Sequence, residues 1–139
     1  MSTKQYVMVV QVAKCIGCQA CTVACKFQNN VPDHQYRTRT VSDGPVGKYP
    51  KVSMTFVKEA CQMCQDAPCV KVCPTKASYY NEDGVVLIDD YKCVGCKYCI
   101  TACPYEARFI NKETKAADKC SFCYEDRVSE GLKPACVST

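Results

Sequence analysis

Four groups of cysteines are the residues of this sequence that could do chemistry. The chain has 139 residues and 15 cysteines; three groups contain four cysteines and the last contains three. The groups are Cys15, Cys18, Cys21 and Cys25; Cys61, Cys64, Cys69 and Cys73; Cys93, Cys96, Cys99 and Cys103; and Cys120, Cys123 and Cys136. In a C-x2-C-x2-C spacing, a short loop wraps one corner of a 4Fe–4S cube because each thiolate meets a different iron. The cysteines are therefore predicted to be iron ligands.

The fourth cysteine of a group determines how the groups pair. In two-cluster ferredoxins this cysteine ligates the other cube, so the groups work in reciprocal pairs. The second group then pairs with the third, and the first pairs with the last across the ends of the chain. The predicted sets are cluster 2, Cys25, Cys120, Cys123 and Cys136; cluster 3, Cys61, Cys64, Cys69 and Cys103; and cluster 4, Cys73, Cys93, Cys96 and Cys99.

The remaining site, cluster 1, takes Cys15, Cys18 and Cys21 and lacks a fourth cysteine in this sequence. By the spacing of the other groups, that ligand belongs immediately beyond Thr139. We therefore expect four 4Fe–4S clusters in a longer protein whose C-terminal tail is missing here. A chain that stopped here by design would hold a 3Fe–4S cluster, or a cube with a labile iron, at this site.

Disulfides and structural zinc are the alternative uses of so many cysteines. No hydrophobic signal segment precedes Cys15, the number of cysteines is odd, and neighbours this close would form strained disulfide loops. Zinc ribbons use two separated C-x2-C pairs, often with histidines. The single histidine, His34, lies outside every group and is predicted to be a surface loop residue. Both alternatives are therefore less favoured than iron–sulfur clusters.

The formal charge of +4 does not require a nucleic acid or a membrane surface as partner. Each oxidised cube with four thiolates carries about −2, so four would contribute about −8 and make the protein acidic. No basic stripe interleaved with aromatic residues indicates nucleic-acid binding. Six lysines beside the ligands either offset the cluster charge and raise reduction potentials or are solvated loop residues: Lys14, Lys26, Lys71, Lys92, Lys97 and Lys119.

The length indicates one domain, and no apolar run is long enough to span a bilayer. Strands are predicted over residues 6–12, 85–88 and 107–110, and short helices over residues 69–73 and 99–103. The predicted class is α+β, with tandem bacterial-type ferredoxin-like folds of two 4Fe–4S clusters each, rich in loops. Because so small a core is marginal, the clusters are expected to complete it, and the iron-free chain should be largely unfolded.

Residues 27–59 contain no cysteine. Two β-prone stretches, residues 36–42 and 52–57, flank the turn-rich residues 43–48 and predict an inserted β-hairpin, which could be a partner contact or structural cover. The single four-cluster domain, residues 1–139, is divided into three parts. These are lobe one, residues 1–35 plus 117–139 with the first and last groups; the hairpin, residues 36–57; and lobe two, residues 58–112 with the second and third groups.

The sequence resembles the iron–sulfur subunits of molybdopterin oxidoreductases of the dimethyl sulfoxide reductase type, and looks most like those of polysulfide, thiosulfate and tetrathionate reductases. The resemblance spans almost the whole chain, in residues 15–26, 67–75, 93–99, 102–105, 107–108, 117–123, 131–132 and 134–137. Members of this family continue with a sixteenth cysteine and a C-terminal tail. In parts of the broader family the second cysteine of the third group is replaced, whereas Cys96 is present here, so cluster 4 should be complete.

The resemblance implies a non-catalytic electron-transfer subunit of an anaerobic respiratory complex. It would relay single electrons between a quinone-linked membrane anchor and a molybdopterin catalytic subunit. Lobe one would face the catalytic subunit and lobe two the anchor. The protein would be peripheral on the cytoplasmic membrane; the chain shows no export signal, and the sequence leaves the side of the membrane open.

Two other classes of function remain open. A free polyferredoxin, or an electron-transfer subunit of a hydrogenase or formate dehydrogenase, would use the same cysteine groups. A catalytic chain is the third reading, but no nucleophile–base set, phosphate loop or carboxylate pair stands out. The acidic pairs are predicted to be solvated turn residues: Asp89 with Asp90, and Glu125 with Asp126.

Overall fold

The computed structural model describes residues 5–139; residues 1–4, which the predicted lobe one includes, lie outside the described residues. The described chain consists of short helices and two-stranded antiparallel sheets joined by long loops. The predicted loop-rich α+β class is therefore confirmed. Within residues 5–139, no helix combines the length and the apolar character needed to cross a membrane.

The helices and strands are few and short, apart from one helix and one hairpin. In chain order they are a 3₁₀ turn at Val12–Lys14, α1 (Ala20–Asn29), β1 (Thr38–Lys48), β2 (Lys51–Ala60), α2 (Pro68–Lys71), β3 (Ser78–Tyr80), β4 (Val86–Ile88), α3 (Tyr98–Thr101), β5 (Phe109–Ile110), β6 (Ala117–Asp118) and a 3₁₀ turn at Val128–Glu130.

The strand predicted over residues 6–12 is wrong, because this segment has no ladder partner in the described chain. Its alternation of side chains is real: Tyr6 and Met8 pack against the core, while Val7 and Val9 are exposed. An extended segment that packs side chains on one face produces the period-two pattern of a strand without backbone pairing.

The long hairpin of β1 and β2 pairs Thr38 with Ala60 at one end and Lys48 with Lys51 at the other. The turn predicted over residues 43–48 is wrong: the register shifts there, between Asp43 and Val46, and the pairing then continues. Glycine and proline mark bulges as well as turns, so their presence alone does not end a strand. That this hairpin is an insertion remains a prediction.

Residues 61–118 contain the same local structure twice. In each half a ligand loop leads into a short helix, α2 or α3, and a two-stranded ladder follows, β3–β4 or β5–β6. The predicted short helices and the strands near residues 85–88 and 107–110 are confirmed, with ends shifted by one to two residues.

The hydrophobic core is built largely from this repeated unit. Met63, Val85 and Val86 are the largest fully buried side chains, and each such burial stabilises the fold by roughly 1.5–3 kcal/mol. The other core members come from both predicted lobes: Ala67, Cys69, Leu87, Cys99, Ala117, Cys120 and Phe122. The β5–β6 ladder also crosses the predicted boundary between residues 112 and 117, so the two lobes share one core.

Candidate iron–sulfur centres

All four cysteine groups share one backbone feature in the first ligand loop. The second residue after the first cysteine has a positive φ in each: Gly17 (72°), Met63 (48°), Gly95 (66°) and Phe122 (59°). Glycine adopts this conformation without cost, whereas Met63 and Phe122 are held in it by their buried side chains. A left-handed residue turns successive N–H groups toward one side, which makes the concave anion sites found at many iron–sulfur clusters.

The predicted ligands of cluster 2 come together from both ends of the chain. The side-chain amide Nδ2 of Asn29 donates to Cys25 Sγ at 3.6 Å and to Cys123 Sγ at 3.8 Å. Arg37 Nη1 donates to Asn29 Oδ1 at 2.8 Å, which orients the amide so that its nitrogen faces the sulfurs. One cavity is lined by all four predicted ligands: Cys25, Cys120, Cys123 and Cys136.

Two of the four thiols of this cavity, Cys25 and Cys120, are biased toward their protonated form. Burial, followed by the negative charge of neighbouring thiolates, raises the pKa of Cys25 to about 12, and burial raises the pKa of Cys120. Four thiolates so close together require a compensating cation. Bound iron would supply it, and a thiol that coordinates a metal ion is deprotonated outright.

In lobe two, the predicted ligands of cluster 3 also lie close together. Burial raises the pKa of Cys64 and of Cys69, and the nearby thiolates of Cys61 and Cys103 raise both further. Cys103 belongs to the third group, whereas the other three belong to the second. The proximity of Cys103 to the second group is what a reciprocal exchange of the ferredoxin type requires.

For cluster 4, the structure gives contacts to individual sulfurs. The backbone N–H of Ser78 donates to Cys73 Sγ at 3.5 Å, and that of Ala117 donates to Cys93 Sγ at 3.2 Å. Burial acts to raise the pKa of Cys73, but hydrogen bonds led by the one from Ser78 lower it overall. N–H donors of this kind stabilise thiolate ligands. The other two members are Cys96, which is exposed, and Cys99, which is buried.

The predicted ligands of cluster 1 are the least enclosed. Cys18 is exposed and Cys15 and Cys21 are half-buried, and within residues 5–139 no hydrogen bond joins these three sulfurs. Cys21 Sγ lies 3.6 Å from the hydroxyl of Thr40 in β1. Gln19 Nε2 donates to the carbonyl of Thr40 at 2.8 Å, which ties this loop to the hairpin.

The hairpin therefore positions ligand groups at both ends of the chain. A Cβ placed on Gly17 would lie 2.5 Å from the ring of Phe56, so the first loop packs directly on β2. Lys58 Nζ, also in β2, donates to Cys136 Sγ at 3.3 Å. Of the two roles left open for the hairpin, this contact supports a structural one.

Four residues near the cysteines were not predicted from the sequence: Asn29, Arg37, Thr40 and Lys58. Asn29 alone carried a usable signal, because it lies one helical turn after Cys25 and so shares its face of α1. The others reach the cysteines through folding of distant segments. The predicted surface position of His34 is confirmed, since its side chain is exposed.

Two family profiles and several relatives match the chain. A profile described as a 4Fe-4S dicluster domain matches residues 52–139, and a second with the same description matches residues 14–77.

A polysulfide reductase component from Wolinella succinogenes is 49% identical over 137 residues, covering 97% of this chain and 71% of the relative. Thiosulfate reductase electron transfer subunit PhsB of Salmonella typhi is 48% identical over 137 residues, covering 98% and 71%. A tetrathionate reductase component from Salmonella typhimurium is 46% identical, covering 97% and 54%.

The chain belongs to the iron–sulfur subunits of dimethyl sulfoxide reductase-type enzymes. The iron–sulfur prediction is thereby confirmed over disulfides and zinc, and the 15 cysteines are free thiols in the structure. Within the described part of the chain, no three His, Cys, Asp or Glu side chains form a single-ion site.

A buried arginine of this iron–sulfur subunit indicates how the residues fit such clusters. Arg108 is 4% exposed; its Nη2 donates to Ser78 Oγ at 2.7 Å, but its Nη1 has no partner among the protein atoms described. A buried N–H without an acceptor costs about 1–3 kcal/mol or more. Burial raises the pKa of Cys69, and the nearby positive charge of Arg108 opposes part of that rise, so the sulfurs of cluster 3 would supply the missing acceptor.

The six lysines beside the ligands differ in burial: four are exposed, Lys26 is half-buried and Lys119 is buried. Lys71 and Lys92 pair with Asp66 and Asp89 at the surface, where their side chains are 63% and 65% exposed. Lys119 is instead 3% exposed. Lys119 is therefore the best candidate for a lysine that offsets the negative charge of the clusters.

Proposed function

We propose that this iron–sulfur subunit relays single electrons between a quinone-linked membrane anchor and a molybdopterin catalytic subunit of an anaerobic sulfur-compound reductase. The observation that carries the proposal is the meeting of Cys25 with Cys120, Cys123 and Cys136 in one cavity. This convergence and the Cys103 exchange in lobe two are what two reciprocally paired ferredoxin units require. Relatives named for polysulfide, thiosulfate and tetrathionate reductases support the class of substrate.

The proposal assigns the cysteines to four clusters in the predicted sets, with cluster 1 lacking its fourth cysteine in this chain. A bound 4Fe–4S cube accepts and returns one electron at a time. The chain's own residues supply the thiol ligands, donate N–H groups from Ser78, Ala117 and Asn29 to ligand sulfurs, and exclude water around Cys25, Cys69 and Cys120. Burial and N–H donors tune the reduction potentials of such clusters.

The proposed division into lobe one, hairpin and lobe two orients the subunit in its complex. Lobe one would contact the catalytic subunit and lobe two the membrane anchor, with the protein peripheral to the cytoplasmic membrane. Support for a partner at lobe one comes from three apolar side chains around the first loop and α1: Ile16, Val23 and Phe27 are 78%, 65% and 88% exposed. Val23 and Phe27 are four residues apart in α1 and so share one face.

The test begins with anaerobic purification from the native cell through a tag on this subunit. We expect a large subunit with bound molybdopterin and a membrane subunit to copurify, and a quinol to reduce the iron–sulfur absorbance of the complex. Copurification with a hydrogenase or formate dehydrogenase, or a monomeric soluble carrier without partners, would favour the alternative functions.

Iron analysis of the same preparation tests the ligand sets. About 16 irons with matching sulfide per chain support four cubes, and about 15 indicate a three-iron cluster 1. Cys136→Ser should lower iron by about four atoms and leave the signals of clusters 3 and 4 in place. Stoichiometric zinc with almost no iron would contradict the proposal.

A further inference from the structure

Two buried cations lie beside the predicted ligand sets, and neither has a carboxylate partner within residues 5–139. Lys119 is 3% exposed and Arg108 is 4% exposed, and the ion pairs of the described chain involve neither. A buried charge is costly unless an opposite charge or a set of hydrogen bonds compensates it. Each of these two cations therefore needs a negative charge or a set of acceptors nearby.

The surroundings of Lys119 match an ammonium group. Its Nζ donates to the carbonyl of Cys120 at 2.7 Å, to the carbonyl of Val86, and to Met63 Sδ at 3.7 Å. These three acceptors account for the three protons of a charged lysine. The side chain is therefore held in place as a cation rather than free to move.

Lys119 bridges the predicted sets of clusters 2 and 3. It directly precedes Cys120, a predicted ligand of cluster 2. Burial lowers the pKa of Lys119, while the thiolates of Cys61, Cys120 and Cys69 act to raise it. The Lys119 Nζ also contacts Met63 Sδ, and Met63 lies between Cys61 and Cys64 of the predicted set of cluster 3, so one buried cation lies beside ligand segments of both clusters.

Arg108 bridges the predicted sets of clusters 3 and 4 in the same way. Its positive charge counteracts the effect of burial on the pKa of Cys69, in the set of cluster 3. Its Nη2 donates to Ser78 Oγ at 2.7 Å, and the N–H of Ser78 donates to Cys73 Sγ at 3.5 Å, in the set of cluster 4. Its Nη1 lacks a protein partner within the described residues.

Resting on the ligand sets of the proposed function, we infer that Lys119 and Arg108 set the reduction potentials of the inner clusters. Each cation acts on two adjacent clusters. Lys119 acts on clusters 2 and 3, and Arg108 acts on clusters 3 and 4. A cube becomes more negative on reduction, so a fixed cation at short range favours its reduced form. Cluster 3 is close to both cations and is therefore the most easily reduced of these three.

The experiment is a potentiometric titration of the anaerobically purified full chain, followed by electron paramagnetic resonance. Each signal is first assigned with a ligand variant of one set: Cys136→Ser, Cys64→Ser and Cys96→Ser. In Lys119→Met we expect the ratio of reduced to oxidised cluster, at the wild-type midpoint, to fall at least about tenfold for clusters 2 and 3. This corresponds to about 59 mV for a one-electron couple. Cluster 4 should change less than about threefold.

Arg108→Met should show the complementary pattern, a fall of about tenfold for clusters 3 and 4 with cluster 2 nearly unchanged. Lys119→Arg retains the charge and should keep all midpoints near wild type. Lys71→Gln is the matched control, because it removes a lysine charge within the second cysteine group at a site that is 63% exposed and already paired with Asp66. In this control, the ratio of reduced to oxidised cluster at the wild-type midpoint should change by less than about threefold for every cluster.

The inference is overturned if Lys119→Met loads wild-type amounts of iron and keeps the midpoints of clusters 2 and 3, or if Lys71→Gln shifts them equally. If Lys119→Met fails to load iron, the comparison of Arg108→Met with the charge-retaining Arg108→Lys decides, and equal midpoints in these two variants overturn the inference. Failure of the proposed function would look different: the wild-type chain itself would lack iron, sulfide and the cluster signals.

Discussion

Lobe one and lobe two hold similar cysteine groups by different means. In lobe two each ligand loop is followed by its own short helix and two-stranded ladder, and the loops pack on Met63, Val85 and Val86. In lobe one the first loop is exposed around Cys18 and depends on Thr40 of the hairpin. A ligand spacing therefore specifies the loop, whereas the surrounding chain specifies how well that loop is enclosed.

The difference also divides lobe one internally. Cys120 and Cys123 are buried because their segment packs into the core of lobe two, while Cys18, in the first group, lies in solvent. Enclosure therefore varies within each lobe rather than between the lobes, because Cys96 in lobe two is also exposed. Four expected results test this division, from the largest effect to the smallest.

Removal of iron should abolish the fold of both lobes. Several core positions are thiols, and Arg108 Nη1 lacks an acceptor within the described protein, so the core alone is not sufficient. Anaerobic treatment with a strong chelator should eliminate the cooperative thermal transition measured by circular dichroism. Reconstitution with iron and sulfide is the control and should restore it. An iron-free chain that still unfolds cooperatively would show that lobe two is stable without clusters. The difference between the two lobes would then reflect side-chain packing alone.

The same substitution in the two regions should have very different effects. Cys69 is 8% exposed, so Cys69→Ser should prevent cluster 3 from binding and lower the thermal midpoint by more than about 10 °C. Cys18→Ser, at an exposed site, should remove iron from cluster 1 and change the midpoint by less than about 3 °C. Iron analysis and calorimetry of the anaerobic proteins measure both. Equal losses of stability would mean that the first loop is enclosed as well as the second.

Packing can be tested with a matched pair of leucines. Leu87→Ala, at 5% exposure in β4, should lower the free energy of unfolding by about 2–5 kcal/mol because it opens a cavity in the shared core. Leu132→Ala, at 51% exposure, should change it by less than about 0.5 kcal/mol. Denaturant titration under anaerobic conditions gives both values. A large effect at Leu132 would reveal a packed surface in lobe one where the structure has an exposed one.

The hairpin should show the smallest effect, because its ion pair is exposed to solvent, where charges are screened. Arg39 Nε and Glu59 Oε2 are 2.7 Å apart, with side chains 56% and 48% exposed. A double-mutant cycle with Arg39→Gln and Glu59→Gln should give a coupling of about 0.2–1 kcal/mol that decreases in high salt. A coupling well above this range, insensitive to salt, would indicate that the hairpin is a rigid part of lobe one.

The repeated unit of lobe two was predictable because its signals are local. The ligand loops, short helices and strands near residues 85–88 and 107–110 each follow from a few adjacent residues. The strand predicted over residues 6–12 failed because side-chain alternation does not reveal whether a pairing partner exists. The turn predicted over residues 43–48 failed because Gly44 and Pro45 shift the register rather than reverse the chain.

The residues that enclose the lobe-one sites were not predictable in this way. Lys58 contacts Cys136 and Thr40 contacts Cys21 only after the hairpin folds back on both ends of the chain. The sequence alone does not say which loop faces the core, so it could not distinguish the buried Lys119 from four exposed lysines and the half-buried Lys26. The ligand sets themselves remain predictions that the geometry supports.

The left-handed residues Met63 and Phe122 have a consequence for the timing of assembly. Their side chains belong to the core, but they reach it from backbone conformations that the ligand loops impose. If the core formed before the clusters were inserted, the chain would have to adopt these strained turns without the cluster contacts that offset the strain. We therefore expect cluster insertion to accompany the collapse of the core, so that cellular iron supply controls how quickly this protein matures as well as how much of it is active.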